Sequence, residues 1–270
     1  MFHARSREPR KGQNLIANAV YAHRLMRPAR HVQRLSLAVG LGYLLGTFPT
    51  ADLVTRRAAA GVDLRSAGTR NPGAANALKV LGPRAGAAVM VGDIAKGAAA
   101  CGVGALVAGP VGAHLAGTAS VTGHCYPVWT GFRGGGKGVA ASVGQCLVTF
   151  PAYFPIDAAV AAVTAANPKW KQQAFAATLA SSACWVLGGV VWWAKGWPNL
   201  WGPKPSALLP LAAATTSMII VQRFLAAGPP ALDTDPTNVT ADTNDTNVTA
   251  VTNVTDDTNG TEPTGAENAG

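Results

Sequence analysis

The chain has 270 residues, 49% hydrophobic and only 13% charged, where an ordinary soluble domain carries roughly 25% charged residues; the deficit excludes a typical soluble fold and points to a membrane protein. The formal charge of +9 is split: no Lys or Arg follows Arg223, while eight of the 13 acids do, leaving 22 basic and five acidic residues, or +17, in the rest. Such a body favours anionic headgroups and phosphorylated ligands, and the long apolar runs argue against a nucleic-acid partner.

Residues 1–34 form a basic extension holding Arg5, Arg7, Arg10, Lys11, Arg24, Arg27, Arg30 and Arg34 against the single acid Glu8. The apolar core of a secretory signal is absent there. Residues 13–27 suit a short amphipathic helix at a membrane surface, with a disordered basic arm as the simpler expectation. Leu35 to Val54 is the first long apolar run, with Asp52 near its end; roughly 20 residues suffice for a helix to cross the hydrocarbon core. A polar, glycine-rich loop is expected from Thr55 to Arg84. Between Ala85 and Phe132 the charged residues are Asp93 and Lys96 alone, and Gly109-Pro110 divides the stretch into two spans joined by a tight turn.

Gly138 to Ala166 is apolar apart from Asp157, and Pro151 and Pro155 interrupt it, giving one kinked span or two short ones. The basic spot Lys169 and Lys171 follows. Ala174 to Ala194 is uncharged and ends in VVWW, an aromatic signal of a membrane interface. Residues 195–205 read as an interfacial loop and Ser206 to Leu225 as the last span. From Asp233 the chain becomes a low-complexity Asp/Asn/Thr tail that cannot bury enough apolar surface to fold. Its Asn-x-Thr patterns at Asn238, Asn244, Asn247, Asn253 and Asn259 matter only in a glycosylating compartment. The expected division is therefore a basic extension over 1–34, a membrane domain over 35–228 and a disordered acidic tail over 229–270. Cys101, Cys125, Cys146 and Cys184 form no CxxC pair; they read as reduced, buried small residues rather than zinc ligands.

Positive-inside counting places 55–84, 133–137 and Lys169/Lys171 on the cytoplasmic face. That requires 138–168 to cross twice and gives seven spans, with the N-terminus outside and the tail inside. A six-span alternative puts Lys169/Lys171 and the tail outside. The expected fold is thus an all-α, polytopic bundle of about seven, alternatively six, transmembrane helices in the plasma membrane, with two glycine-rich loops on its cytoplasmic face.

Those two loops carry the chemistry. The first, SAGTRNPGAANALK over 66–79, offers Thr69, Asn71 and Asn76 as short polar groups, Gly68 and Gly73 as turn residues, and Arg70 and Lys79 as charge. The second, GHCYPVWTGFRGGGKGVA over 123–140, concentrates His124, Arg133, Gly134, Gly135, Gly136 and Lys137. Glycines expose backbone N–H groups, and a following helix adds the positive end of its dipole. The combination suits a phosphate. Gly131-x4-Gly136-Lys137 also matches most of a nucleotide-binding P-loop, but Gly138 stands where Ser or Thr would hold magnesium. Asp93 and Lys96, three residues apart on one helix face, read either as a structural ion pair or as part of a substrate site. A small transporter built around that pair is a competing reading.

The order GTRNPGAAN, D-x-x-KG, then GH-x-x-P-x5-F-R-GG-x-KGVA resembles the bacterial acyl-phosphate:glycerol-3-phosphate acyltransferases, the PlsY family. The similarity runs from about Leu41 to Leu225. It implies an integral membrane enzyme that moves an acyl chain from acyl phosphate to the 1-position of glycerol 3-phosphate, forming lysophosphatidic acid without metal or nucleotide cofactor. By this resemblance Lys137, Thr69 and His124 are the catalytic candidates. The glycines and Lys137 would hold the leaving phosphate, with Thr69, Asn71 and Asn76 orienting it beside Gly73. Arg70, Lys79 and Arg133 would receive the acceptor phosphate, and Asp93 and Lys96 would line the site. The acceptor proton would pass to His124 or to a substrate phosphate oxygen. Two departures stand out: an extra glycine in Gly134–Gly136, and the loss of the family's third motif, whose His, Asn and Glu are missing from MIIVQRFLAAGPP, where Arg223 remains. The second departure leaves an inactive or altered-specificity paralogue as an alternative. No signal of oligomeric state is present.

Overall fold

The computed structural model describes residues 11–169 and 172–227. Lys171, the first ten residues and the acidic tail with its Asn-x-Thr patterns lie outside the described residues. Among those described, the chain is all-helical: α1 (Lys11–Gly46), α2 (Thr50–Ala58), α3 (Ala74–Leu81), α4 (Pro83–Cys125), a 3-10 turn (Val128–Thr130), α5 (Val139–Thr149), α6 (Phe154–Ala165), α7 (Gln173–Lys195) and α8 (Leu208–Ala227). Four stretches are long and apolar enough to cross a membrane: Ala29–Ala58, Pro83–Thr130, Gln173–Lys195 and Leu208–Ala227. The helices α5 and α6 are apolar but shorter.

The basic extension does not end where the apolar run begins. Helix α1 is continuous from Lys11 into the first span, running through Pro28, whose missing N–H removes one hydrogen bond from the helix ladder. The helix of the first apolar stretch is interrupted before its hydropathy ends. Pro49 lacks an N–H and disfavours helix in the residue before it. The chain therefore breaks at Thr47–Pro49 and restarts as α2 within the apolar stretch Ala29–Ala58, so Asp52 lies in α2, beyond the break.

Helix α4 is folded on itself. Ala108 (φ −137°, ψ 20°) and Gly109 (φ 67°, ψ −157°) leave helical geometry, and Pro110 cannot donate to the preceding turn. A straight helix would hold Asp93 and His124 about 46 Å apart; here His124 Nδ1 is 3.6 Å from Asp93 Oδ1. The expected hairpin at Gly109-Pro110 is therefore present.

The arms pack through small residues. Gly42 and Gly46 of α1 lie against the backbone of Ala116 and Ser120, and Gly123 lies against the backbone of Tyr43. This reciprocal small-xxx-small seam lets two helices approach where apolar solvent supplies no hydrophobic drive. Arg34 Nε donates to Val107 O at the hairpin bend (2.6 Å), so α1 runs parallel to the second arm of α4. Gly97 and Gly144 make equally close backbone approaches between the first arm and α5.

From there the chain alternates direction. Tyr153 packs on Gly188, and Ser181 Oγ donates to the Asp157 carboxylate, which sets α6 antiparallel to α7. Phe175 meets Phe224 (5.3 Å between centroids) while Gly189 meets Pro210, which sets α7 antiparallel to α8. Buried between the second arm of α4, α5 and α8, Gln145 bonds Thr118 (3.3 Å) and Thr216 (3.0 Å). One end of the bundle thus gathers the 47–82 segment, residues 126–138, Lys169 and the end of α8. The other gathers the hairpin bend, residues 150–153 and the Trp-rich loop 196–205. Leu106, Val163 and Met218 face outward, 84%, 74% and 72% exposed.

The α1–α4 seam leaves no room for a side chain. Gly46→Leu is expected to push the arms apart at a cost of about 1–3 kcal/mol; thermal unfolding in detergent should show a lowered midpoint, while Gly40→Leu, at a position with open space around it, should not.

Candidate active site

A cavity of about 360 Å³ opens at the loop-rich end, lined by residues of the α1–α2 break, by Asp52, Arg65 and Pro72, by Asp93 and Lys96 of the first α4 arm, by Gly123 and His124 of the second, and by Gly135 and Gly136. Its floor is charged. Lys96 Nζ lies 2.9 Å from Asp93 Oδ1 and donates to Phe48 O at 3.2 Å. Both side chains are nearly buried, at 7% and 3% exposure. An unpaired Lys or Asp at mid-membrane costs roughly 2.5–3.5 kcal/mol, so the pair and the carbonyl account for their tolerance. His124 completes the floor beside Asp93, and its Nε2 edge lies where any side chain on Gly136 would collide.

The glycine loop rests on the end of α4. Gly136 N–H donates to His124 O (3.1 Å), and a Cβ on Gly135 would meet the carbonyls of His124 and Cys125. Gly134 and Gly138 have left-handed φ of 66° and 90°, a conformation L side chains resist. Gly138 is the N-cap of α5, so the loop enters a helix at its positive end. Lys137 is half-buried, its Nζ 4.3 Å above the Phe224 ring. Burial, and secondarily the nearby Arg223, hold its ammonium below the ordinary lysine range.

The two loops are joined by Arg65. Its Nη1 and Nη2 grip Asp52 Oδ1 and Oδ2 at 2.7 and 3.1 Å, and its Nε donates to Gly134 O at 2.8 Å. The first loop is closed internally by Asn76, which is fully buried. Asn76 Oδ1 accepts from Thr69 N–H (2.7 Å), and its Nδ2 donates to Leu64 O and Ala67 O, both at 3.0 Å. These bonds commit Asn76 to the backbone of its own loop.

Of the residues singled out from sequence, His124, Asp93, Lys96, Gly135 and Gly136 come together at the cavity. Gly134 joins them through Arg65. Thr69 and Arg70 are exposed and Asn71 is half-buried on the first loop, with Gly73 capping α3 and Lys79 exposed on its last turn. Arg133 is exposed on the second loop. None of Thr69, Arg70, Asn71, Asn76, Lys79 and Lys137 lines the cavity, although the neighbouring Pro72 does.

A family model described as glycerol-3-phosphate acyltransferase matches residues 36–226. The chain belongs to the glycerol-3-phosphate acyltransferase family. It is 47% identical over 114 residues to the glycerol-3-phosphate acyltransferase of Exiguobacterium sibiricum, covering 42% of this chain and 54% of that protein. To the one from Desulforudis audaxviator it is 38% identical over 159 residues, covering 58% and 78%. The match thus spans about half the length of the Exiguobacterium relative. Among solved structures it resembles PlsY (YgiH), an integral membrane glycerol 3-phosphate acyltransferase, in its glycerol 3-phosphate form, with a TM-score of 0.57, 27% identity, and coverage of 71% of this chain and 88% of that one. The lysophosphatidic acid form of PlsY matches with a TM-score of 0.53 at 26% identity. Like that neighbour, this family member is a multi-pass integral membrane protein.

Sequence reasoning gave no role to Arg65, Asp52 or Thr50. Asp52 carried a signal, because an acid at the edge of an apolar run needs a partner. Thr50 lines the cavity with a buried hydroxyl that has no partner among the described residues. Replacing Asn76 by Ala strips the first loop of three hydrogen bonds, each worth about 1 kcal/mol net. Hydrogen exchange over residues 63–72 should accelerate in Asn76→Ala; unchanged protection would mean that Asn76 does not hold the loop.

Proposed function

We propose that this chain transfers a fatty acyl group from acyl phosphate to the sn-1 hydroxyl of glycerol 3-phosphate, releasing phosphate and forming lysophosphatidic acid. The observation that carries the reading is the pair of family glycine-rich loops, tied by Arg65 above a cavity whose floor is Asp93, Lys96 and His124. PlsY structures in glycerol 3-phosphate and lysophosphatidic acid forms support the substrate and product assignment.

Acyl phosphate brings its own leaving group, so the protein's work is positioning and charge neutralisation. The acceptor oxygen attacks the acyl carbon, the bond from that carbon to the phosphate oxygen breaks, and the hydroxyl proton passes to His124 or to the departing phosphate. Lys137 and the glycine-loop N–H groups stabilise the phosphate, aided by Thr69, Asn71 and Gly73. Arg70, Lys79 and Arg133 attract the acceptor phosphate at the mouth. No metal or nucleotide enters these steps.

The domain is assigned to residues 35–228, flanked by the 1–34 extension and the 229–270 tail; the family match over 36–226 supports those limits. Splitting α4 at its bend, and counting α5 and α6 as a short pair, gives seven alternating arms. The end carrying Arg56, Arg57, Arg65, Arg70, Lys79, Arg84, Arg133, Lys137 and Lys169 then faces the cytoplasm by the positive-inside rule, with the start of α1 outside.

Purified protein given acyl phosphate and labelled glycerol 3-phosphate should form lysophosphatidic acid, and Lys137→Ala should lower turnover at least about 100-fold, as loss of a central charge stabiliser does. No product from the wild-type protein beside an active control would sink the reading. The pH profile gives a separate check. The reaction needs the charged form of Lys137, which is lost as pH rises through a pKa held below the ordinary lysine range. The alkaline limb should therefore fall earlier than a free lysine would set it, and Lys137→Arg should move whatever activity it retains to higher pH.

A further inference from the structure

Three successive carbonyls in the glycine loop are held by guanidinium groups. Arg223 Nη2 donates to Gly135 O at 2.6 Å and its Nε to Gly136 O at 3.2 Å. Arg65 Nε takes Gly134 O at 2.8 Å. In a trans peptide the carbonyl and the following N–H point in opposite directions. The Gly136 carbonyl turned onto Arg223 therefore turns the Lys137 N–H away from it, and the Gly134 carbonyl turned onto Arg65 does the same for the Gly135 N–H. The N–H groups of Gly135, Lys137 and Gly138 have no protein acceptor among the described residues. The Gly136 N–H between them is given to His124 O, which leaves Lys137 and Gly138 as the consecutive pair of the kind that lines an anion-binding concavity.

Arg223 is itself fixed. Its Cζ lies 5.2 Å from the Tyr126 ring centroid, and the adjacent Phe224 carries the Lys137 ammonium at 4.3 Å. One turn of α8 thus sets both the backbone and the side chain of the loop. This is the same stretch of α8 that lacks the His, Asn and Glu of the family's third motif.

We propose that Arg223 is a positioning residue that, with Arg65, clamps the carbonyls of Gly134–Gly136 so that the loop offers a phosphate the N–H groups of Gly135, Lys137 and Gly138 and withholds its carbonyl oxygens. The proposal rests on the acyltransferase reading above and adds to it. Without the clamp, glycine peptides rotate at little cost, and a flipped peptide would place a carbonyl dipole against the anion. The role needs the two-pronged geometry of a guanidinium, because a lysine in its place keeps the charge over Tyr126 but cannot span two carbonyls.

The test compares wild type, Arg223→Lys and Arg223→Ala in detergent. Each is measured for steady-state kinetics with acyl phosphate and glycerol 3-phosphate, and for thermal stabilisation by inorganic phosphate. Both variants should lose about 10–100-fold in kcat/KM for acyl phosphate, the scale expected for a misplacement of about 1 Å, with KM for glycerol 3-phosphate little changed. Phosphate should stabilise wild type and fail to stabilise either variant. Wild-type kinetics in Arg223→Lys would overturn the clamp and leave only a charge effect. A lowered melting temperature with full kcat/KM would overturn it in favour of a packing role. If wild type makes no product, the acyltransferase reading fails, and the phosphate arm still decides the clamp: equal stabilisation of wild type and Arg223→Lys overturns it.

Discussion

The ion pair between Asp93 and Lys96 is the constraint on which the rest of the bundle depends. Neither charge can remain in an apolar helix without partners, and each has a second partner on a different segment. Lys96 reaches the Phe48 carbonyl at the break after α1, and Asp93 faces His124 on the returning arm of α4. The pair therefore ties three parts of the chain at one level. Removing either member would strand a buried charge, at a cost of about 3–5 kcal/mol. The same knot is the floor of the cavity, so the group that holds the fold together at this end also shapes the site.

That knot forms only because the arms approach closely. Gly42, Gly46 and Gly123 remove the side chains that would keep α1 from the second arm of α4, and Gly97 and Gly144 do so between the first arm and α5. Gln145, held by Thr118 and Thr216, extends the contact to α8. A buried amide in this setting is stabilising when its bonds are made and costly when they are not. Together with Ile220 packed against Val121, Cys125 and Ala141, it holds α8 with Arg223 facing the glycine loop. Distant packing and loop geometry are thereby linked by a continuous set of contacts.

Much of this was legible in the sequence because apolar runs and isolated charges have strong physical consequences. The bend at Gly109-Pro110, the short pair of helices around Pro151 and Pro155, and the Asp93–Lys96 pairing all follow from hydropathy and backbone chemistry. The first apolar run extends past Val54 as hydropathy indicates, but Pro49 breaks the helix inside it. Within the loops, periodicity is absent and residue type is ambiguous. Asn76 offers the same amide whether it faces a ligand or its own backbone, and only the fold shows that Leu64, Ala67 and Thr69 use it. Arg65 was one basic residue among several, and its grip on Asp52 and Gly134 depends on a long-range approach that no local pattern encodes.

The charge balance around the loop bears on how the site would use its cations. Lys96 is neutralised by Asp93 and Arg65 by Asp52, so both serve chiefly as fixed donors. Arg223 and Lys137 have no acidic partner among the described residues, and their mutual repulsion contributes to the lowered Lys137 pKa. On the proposed reaction, an entering phosphate relieves that repulsion, and relief is greatest when negative charge concentrates on the departing oxygen. A cation that is poorly satisfied in the empty site and well satisfied as the bond breaks contributes to rate rather than to binding alone. Pairing Lys137 with a carboxylate would remove that difference. Seating it on the Phe224 ring keeps it in place while leaving most of its electrostatic demand for the substrate.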